Sequence, residues 1–259
     1  MGLQSGQASL NEPMSGKDHV WRAEAVARQY LEGVRGAVPL AEHQIELVLF
    51  LVKQARPHVR RFLDLGCGDG ILGRALFGQT PDAQGVFLDF SETMITAARD
   101  KLKGTPYSAA FIVQDYGHPD WVQAVRDDSP FDVVVSGLSI HHQPNYRKKT
   151  LYHEIFDLLA PGGLFLNLEH VASDSPWGQK VFDQYFIESL YQYHRGMNAN
   201  TTREQVAIQY AQRPDREANI LAPVEGQCQW LRDIGFQNVA CFFKILELAL
   251  FGGTRPGPL

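Results

Sequence analysis

Short apolar segments alternate with helical segments through the middle of the chain. The apolar segments are predicted strands and cover residues 61–65, 86–89, 110–113, 131–135 and 164–168. Helices are predicted between them at about 71–77, 92–102 and 147–159. The fourth strand is rich in valine, which indicates burial on both faces. This alternation predicts an α/β fold with a doubly wound, mostly parallel sheet.

The segments on either side of this core extend the prediction. Two further strands are expected at 235–239 and 242–251, which makes a seven-stranded sheet. The stretch before them is much longer than an ordinary connection and contains helical patterns near 177–194 and 202–212, so it is predicted to be an inserted helical lid. At the N-terminus, a polar tail over 1–17 precedes one helix from about residue 18 and a second that Pro39 opens.

Charge and cysteine content exclude several classes of protein. The chain has 259 residues, a net charge of -5 and a pI of about 6.0, so no broad basic field is available for nucleic acid. An enzyme that reads one RNA through a local patch stays possible. The 3 cysteines are too few for a disulfide framework or a zinc site, and no metal is expected. Without a signal-peptide pattern or a long apolar run, we expect a cytoplasmic protein.

A glycine-rich turn joins the first predicted strand to its helix. Gly66, Gly68 and Gly70 follow a G-x-G-x-G spacing, which differs from the dinucleotide fingerprint and from the P-loop. Asp64 precedes the turn and Asp69 lies within it; these acids would repel a pyrophosphate and suit a cationic amino-acid ligand.

Two more acids end the next strands. Asp89 follows the second strand, where a carboxylate can accept hydrogen bonds from ribose hydroxyls, and Asp115 with Tyr116 follows the third. Other roles stay open: ordinary turn formation for the glycines, helix capping for Asp89, and a loop position for Asp115.

These motifs resemble the class I, Rossmann-like family of S-adenosylmethionine-dependent methyltransferases. The resemblance rests on FLDLGCGDG at 62–70, the acids after the second and third strands, and LLAPGGLF at 158–165. It implies S-adenosyl-L-methionine as cofactor, with the methionine part near Asp64 and the turn, ribose at Asp89 and adenine at Asp115 and Tyr116. It also implies an antiparallel hairpin of the last two strands. The predicted cofactor residues are Asp64, Gly66, Cys67, Gly68, Gly70, Asp89, Phe90, Asp115 and Tyr116.

The sequence patterns also predict domain boundaries. They are a flexible tail at 1–17, N-terminal helices at 18–58, a cofactor-binding core at 59–171, a helical lid at 172–226 and C-terminal strands at 227–259.

Four polar residues follow the fourth and fifth strands. Because ligands bind beyond the carboxyl ends of parallel strands, these residues are candidate catalytic groups that could take a proton from the acceptor: His141, His142, Glu169 and His170. A structural role for the histidines is an alternative. Catalysis by alignment of donor and acceptor alone is another.

The lid is rich in aromatic and arginine side chains. Its candidate substrate residues are Tyr185, Arg195 and Arg213, although such aromatics often form core and such arginines often face solvent. The lid region is similar to that of the tRNA wobble-uridine carboxymethyltransferase group. The similarity rests on Val38-Pro39, which precedes the core, and on the Gln212–Leu221 and Trp230–Phe236 segments. That resemblance implies that Arg213 holds the extra carboxylate of carboxy-S-adenosylmethionine. The G-x-G-x-G turn and the paired histidines depart from that group.

The sequence favours methyl transfer from S-adenosylmethionine to a small molecule under the lid. One alternative is a tRNA wobble-uridine methyl- or carboxymethyltransferase, and another is a cofactor-binding regulatory protein without catalysis. A dehydrogenase is disfavoured by the glycine spacing. No membrane partner is expected, and the chain could be a monomer or a homodimer.

Overall fold

A computed structural model describes residues 37–257 of the chain. The predicted tail at 1–17 and the helix expected from residue 18 lie outside the described residues. The second predicted helix is present as α1 (Ala41–Ala55), which buries Val48 and Val52 against the sheet.

The centre of the molecule is a seven-stranded sheet of order β3-β2-β1-β4-β5-β7-β6. The strands are β1 (Arg61–Leu65), β2 (Gln84–Asp89), β3 (Ser108–Val113), β4 (Phe131–Gly137), β5 (Leu159–His170), β6 (Gln237–Ile245) and β7 (Leu248–Thr254). Strands β1 to β5 pair in parallel, while β7 is antiparallel to both β5 and β6. The mostly parallel sheet and its antiparallel C-terminal hairpin confirm the predicted fold class.

Helices cover both faces of this sheet. They are α2 (Ile71–Gln79), α3 (Glu92–Leu102), α4 (Trp121–Ala124), α5 (Asn145–Leu158), α6 (Pro176–Met197), α7 (Arg203–Gln212) and α8 (Val224–Ile234). One core layer packs α1, α2 and α3 against the sheet, and the other packs α5 and α8 against the opposite face. Because both faces are covered, the carboxyl-end rim of the parallel strands is the natural place for a ligand.

Two helices of the lid begin where their capping residues predict. Ser175 accepts a hydrogen bond from the Gly178 backbone at the start of α6, and Thr202 and Gln205 form a capping box at the start of α7. Within the described chain, no helix is long and apolar enough to cross a bilayer.

The C-terminal strand boundaries predicted from sequence are wrong. The run predicted as one strand at 242–251 contains a turn, because Leu246 adopts a left-handed φ of 54° between β6 and β7. Because the Leu246 side chain is apolar, the hydropathy pattern gives no sign of this turn. Helix α8, which was not predicted, occupies most of the segment before β6 and buries Val224, Cys228 and Leu231.

The start of β5 also differs from the prediction. The strand begins at Leu159 rather than 164, because a register shift against β4 accommodates the Pro-Gly-Gly segment within the strand.

Candidate active site

The glycine-rich turn is fixed to the end of β2. The backbone N–H groups of Gly66 and Cys67 both donate to the Leu88 carbonyl, at 2.8 and 3.0 Å. Gly66 and Gly68 have φ values of 66° and 53°, in the left-handed region that glycine tolerates. A Cβ on Gly66 would lie 2.0 Å from the Ser139 Oγ, whereas one on Gly68 would meet nothing within 4 Å. The backbone at Gly68 therefore borders open space that a ligand could fill.

Two buried carboxylates hold this turn in place. Asp64 accepts a hydrogen bond from the Gly73 backbone at 2.8 Å. Asp89 accepts from the backbone of Gly68 and of Ser91, both at 2.9 Å. Burial raises the pKa of Asp89 to about 6, although the two backbone hydrogen bonds oppose the shift. Its contact with Gly68 places the Asp89 carboxylate beside the open space.

Asp69 does not supply the uncompensated negative charge that was predicted for it. Its carboxylate forms ion pairs with Lys101 and, at 3.5 Å, with Arg74. These cations compensate its charge, so any preference for a cationic ligand depends on Asp64 and Asp89 instead. Both cations come from neighbouring helices, and no local sequence signal marks them.

The loop after β3 is held by two different contacts. Asp115 accepts a hydrogen bond from the Gly117 backbone at 2.7 Å. The Tyr116 ring is buried against Gly66, and its hydroxyl lies 2.6 Å from the Ser139 Oγ. Tyr116 thus faces the glycine turn, and its predicted contact with adenine stays a prediction.

The other three predicted cofactor residues differ in exposure. Gly70 is buried near the Phe87 ring, with a φ of 77°. Cys67 is buried, and burial together with Asp64 raises the pKa of its thiol well above the usual value. Phe90 is half-buried beside Asp89.

The loop after β4 brings His141 against a buried acid from β5. Both the backbone N–H and the Nδ1 of His141 contact Glu169, at 3.0 and 2.5 Å. Glu169 is fully buried, and this burial raises its pKa to about 7, against a hydrogen bond from the His170 backbone. Burial, followed by the charge of His170, lowers the pKa of His141 well below its usual value. His141 and Glu169 therefore form a buried acid–base pair at the rim of the sheet.

His142 and His170 extend this unit towards the lid. The ring of His142 lies 3.9 Å from that of His141, and its Nδ1 lies 3.3 Å from the Ala218 carbonyl. A carbonyl only accepts hydrogen bonds, so Nδ1 carries the proton and Nε2 the lone pair in the neutral ring. Burial, then His141, lowers the pKa of His142 and favours that neutral ring. The His170 ring contacts His141 and the lid residue Phe182, at 5.7 and 5.1 Å between centroids.

Sequence reasoning missed two buried charged residues at this rim. Lys148 in α5 donates to the Ile220 carbonyl, and burial, opposed by Glu169, lowers its pKa to about 8. Glu247, in the turn between β6 and β7, lies 2.9 Å from the His170 Nε2. A lysine in an amphipathic helix and an acid in a hairpin turn usually face solvent, so neither residue stands out in the sequence. Among residues 37–257, no cluster of His, Cys, Asp and Glu is arranged to hold a metal ion.

The segment predicted to be a lid, residues 172–226, contacts this rim near both of its ends. The Ala172 backbone donates to Ala222, and the Ile220 backbone donates to the His141 carbonyl, at 3.0 and 2.9 Å. These two contacts bring the beginning and the end of the lid together beside the histidines.

The three predicted substrate residues lie in different surroundings. The Arg213 guanidinium lies 3.9 Å from the Tyr210 ring centroid, and its charge contributes to the lowered pKa of His141. Tyr185 is 39% exposed on α6. Arg195 is also exposed on α6 and lies over the ring of Tyr191. Arg213 also donates to the Tyr210 carbonyl and forms an ion pair with Asp215, at 2.8 and 3.5 Å, so its charge is compensated within the same segment.

Comparison with known proteins agrees with this geometry. Residues 62–163 match the family model described as a methyltransferase domain. This part of the chain is a methyltransferase domain. S-adenosylmethionine is its cofactor, and the Gly68 backbone, with open space beside it, and the Asp89 carboxylate are the groups that would hold it.

The methyltransferase domain has several curated relatives. The trans-aconitate 2-methyltransferase of Acidovorax sp. (strain JS42) is 31% identical over 48% of this chain and 43% of the relative. The demethylmenaquinone methyltransferase of Leptospira interrogans is 32% identical over 49% of each chain. The chain thus spans less than half the length of these two relatives. A carboxy-S-adenosyl-L-methionine synthase of Nautilia profundicola is 21% identical over 88% of this chain and 91% of its own.

Solved structures share the fold. An O-methyltransferase family protein from Burkholderia thailandensis superposes with a TM-score of 0.62 at 19% identity, over 94% of this chain and 62% of its own. Human N-acetylserotonin methyltransferase superposes with a TM-score of 0.61 at 13% identity, over 95% of this chain and 61% of its own.

Proposed function

We propose that the whole protein transfers a methyl group from S-adenosylmethionine to a small molecule bound between the rim and the lid. One observation carries this proposal. Ser139 packs directly on Gly66, and His141 and His142 follow it within three residues. The acid–base groups therefore adjoin the turn of the methyltransferase domain, where donor and acceptor must meet.

The cofactor residues have distinct roles in this proposal. When bound, S-adenosylmethionine supplies an electrophilic methyl group on a sulfonium. Asp89 accepts hydrogen bonds from the ribose hydroxyls, and the backbone at Gly68 lets the ligand approach closely. Asp64 supports the turn through Gly73 and contributes negative charge near the sulfonium.

Proton transfer is assigned to the histidine pair. Neutral His142 carries its lone pair on Nε2 and can accept the proton that an oxygen or nitrogen nucleophile loses. His141 supports that ring by direct contact between the two tilted imidazoles, and Glu169 fixes the orientation of His141. A general base contributes about 10²–10⁴ in rate, and alignment of the reactants contributes up to about 7–11 kcal/mol.

The acceptor is assigned to the space under the lid. Arg213, although it also pairs with Asp215, is the candidate partner for an acidic group on the acceptor. Tyr185 and Arg195, which face solvent, would contact a substrate only at its outer end.

The similarity to a carboxy-S-adenosyl-L-methionine synthase favours a second candidate. That relative matches nearly the whole chain, lid included, whereas the methyltransferases above match about half of it. In this second candidate the site forms or uses the carboxylated cofactor, with Arg213 facing its added carboxylate. The tRNA alternative would use the same cofactor.

Mass spectrometry of the ligand that purifies with the protein separates these candidates. S-adenosylmethionine or S-adenosylhomocysteine supports methyl transfer, and carboxy-S-adenosylmethionine supports the second candidate. Tritium transfer from labelled S-adenosylmethionine should then be measured with a small-molecule extract and with total tRNA, using Asp89→Ala as the inactive control. Binding without transfer to any fraction would favour a regulatory protein.

A further inference from the structure

We propose that Arg147 is a positioning residue that lets the cofactor site distinguish adenine from other bases. The inference rests on the proposed function, because it needs the cofactor to lie with its base at the loop after β3. Arg147 belongs to α5 and is 5% exposed. It touches no predicted ligand directly and acts through the loop.

Arg147 holds the backbone of that loop by two hydrogen bonds. Its Nε and Nη2 both donate to the Tyr116 carbonyl, at 3.0 and 2.5 Å. Asp115, the predicted partner of the adenine amine, directly precedes Tyr116. Its carboxylate accepts a hydrogen bond from the backbone of Gly117, which directly follows Tyr116. A shift of the Tyr116 carbonyl therefore displaces the Asp115 carboxylate.

The guanidinium is itself fixed from behind. Glu154 accepts from Nη1 and Nη2 of Arg147, at 2.9 and 2.7 Å, and also from the buried indole of Trp121 at 2.6 Å. The guanidinium of Arg147 thus forms hydrogen bonds on two sides, to the Tyr116 carbonyl and to the Glu154 carboxylate. A lysine ammonium cannot reproduce this planar geometry. Such rigid support is what a hydrogen-bonding site needs to discriminate between ligands that differ by one polar group.

The adenine amine supplies the test. S-adenosylhomocysteine carries it, and S-inosylhomocysteine has a carbonyl oxygen at that position, so the second compound presents an acceptor to Asp115 where the first presents a donor. A hydrogen bond to a charged group changes affinity by about tenfold or more, and we expect the wild-type protein to prefer S-adenosylhomocysteine by that factor. Titration calorimetry with both compounds measures the ratio.

Arg147→Lys should reduce this ratio to below about threefold, given the hydrogen-bond strength above. Arg255→Lys is the matched control, because the Arg255 Nη1 also donates to two backbone carbonyls, Asp157 at 3.0 Å and Leu159 at 2.5 Å, near the opposite end of β5. That variant should keep the wild-type ratio. If Arg147→Lys does not fold, Glu154→Gln weakens the same support and should also lower the ratio.

The outcomes separate the two proposals. A folded Arg147→Lys protein that keeps the wild-type ratio of affinities for the two compounds would overturn the positioning role. A wild-type protein that binds both compounds equally would overturn it as well. Failure of the wild-type protein to bind S-adenosylhomocysteine would instead overturn the proposed function.

Discussion

Alanine substitution at Gly66 should mainly lower stability, whereas alanine substitution at Gly68 should mainly weaken ligand binding. Both positions have positive φ, which costs a residue with a Cβ about 1–2 kcal/mol. At Gly66 the new methyl group would also meet the Ser139 Oγ at 2.0 Å and its Cβ at 2.6 Å. Ser139 must then move and lose its hydrogen bond to Tyr116, a further cost of about 0.5–1.5 kcal/mol.

The free energy of unfolding without cofactor tests the first half of this prediction. Gly66→Ala should lose about 1.5–3.5 kcal/mol and Gly68→Ala about 1–2 kcal/mol, which urea denaturation resolves. The second half concerns affinity for S-adenosylmethionine. Gly68→Ala places a methyl group in the open space predicted to hold the cofactor, so its dissociation constant should rise by about tenfold or more.

Two results would refute this reasoning. Wild-type affinity in Gly68→Ala would show that the cofactor does not approach that face of the turn. Equal losses of stability in the two variants would show that the contact between Gly66 and Ser139 is not tight.

Three further predictions concern titration and proton transfer. Ribose hydroxyls need the ionised form of Asp89, whose pKa is about 6. Affinity for S-adenosylmethionine should therefore be constant above pH 7 and fall about tenfold per pH unit well below pH 6. Asp89→Asn should remove that pH dependence when affinity is measured by calorimetry. His142→Ala should leave the dissociation constant of the cofactor unchanged and lower kcat by about 10²–10⁴, whereas lost cofactor binding would place His142 in the cofactor site. Glu169 has a folded pKa of about 7 against 4.5 when unfolded, so its contribution to stability should be complete below pH 4.5 and disappear as pH rises to 7. Urea denaturation of the wild type and Glu169→Gln should show this difference change between pH 5 and 7, and parallel curves would contradict it.

The parts of the fold that the sequence predicted well are those specified by local patterns. Helix α3 begins after Ser91, whose side chain caps it, and the strands around Asp64 and Asp89 have the expected apolar patterns. The glycine turn was identified for the same reason, since its spacing and its acids lie within one short segment.

The parts that the sequence could not predict depend on contacts between distant segments. Lys148, Glu247 and Lys101, which pairs with Asp69, reach the site from helices and a hairpin remote in sequence. Composition cannot say which lysine will be buried, because amphipathic helices place most lysines in solvent. The turn at Leu246 was missed because an apolar residue there adopts a left-handed conformation, which hydropathy does not reveal.

The most direct test is calorimetric titration of the purified protein with S-adenosylmethionine, with Asp89→Ala titrated in parallel. We predict one binding site per chain in the wild-type protein and the loss of that binding in Asp89→Ala, because Asp89 both fixes Gly68 and faces the predicted ribose position. A wild-type protein that binds no S-adenosylmethionine, or an Asp89→Ala protein that binds it with unchanged affinity, would contradict the cofactor site described here.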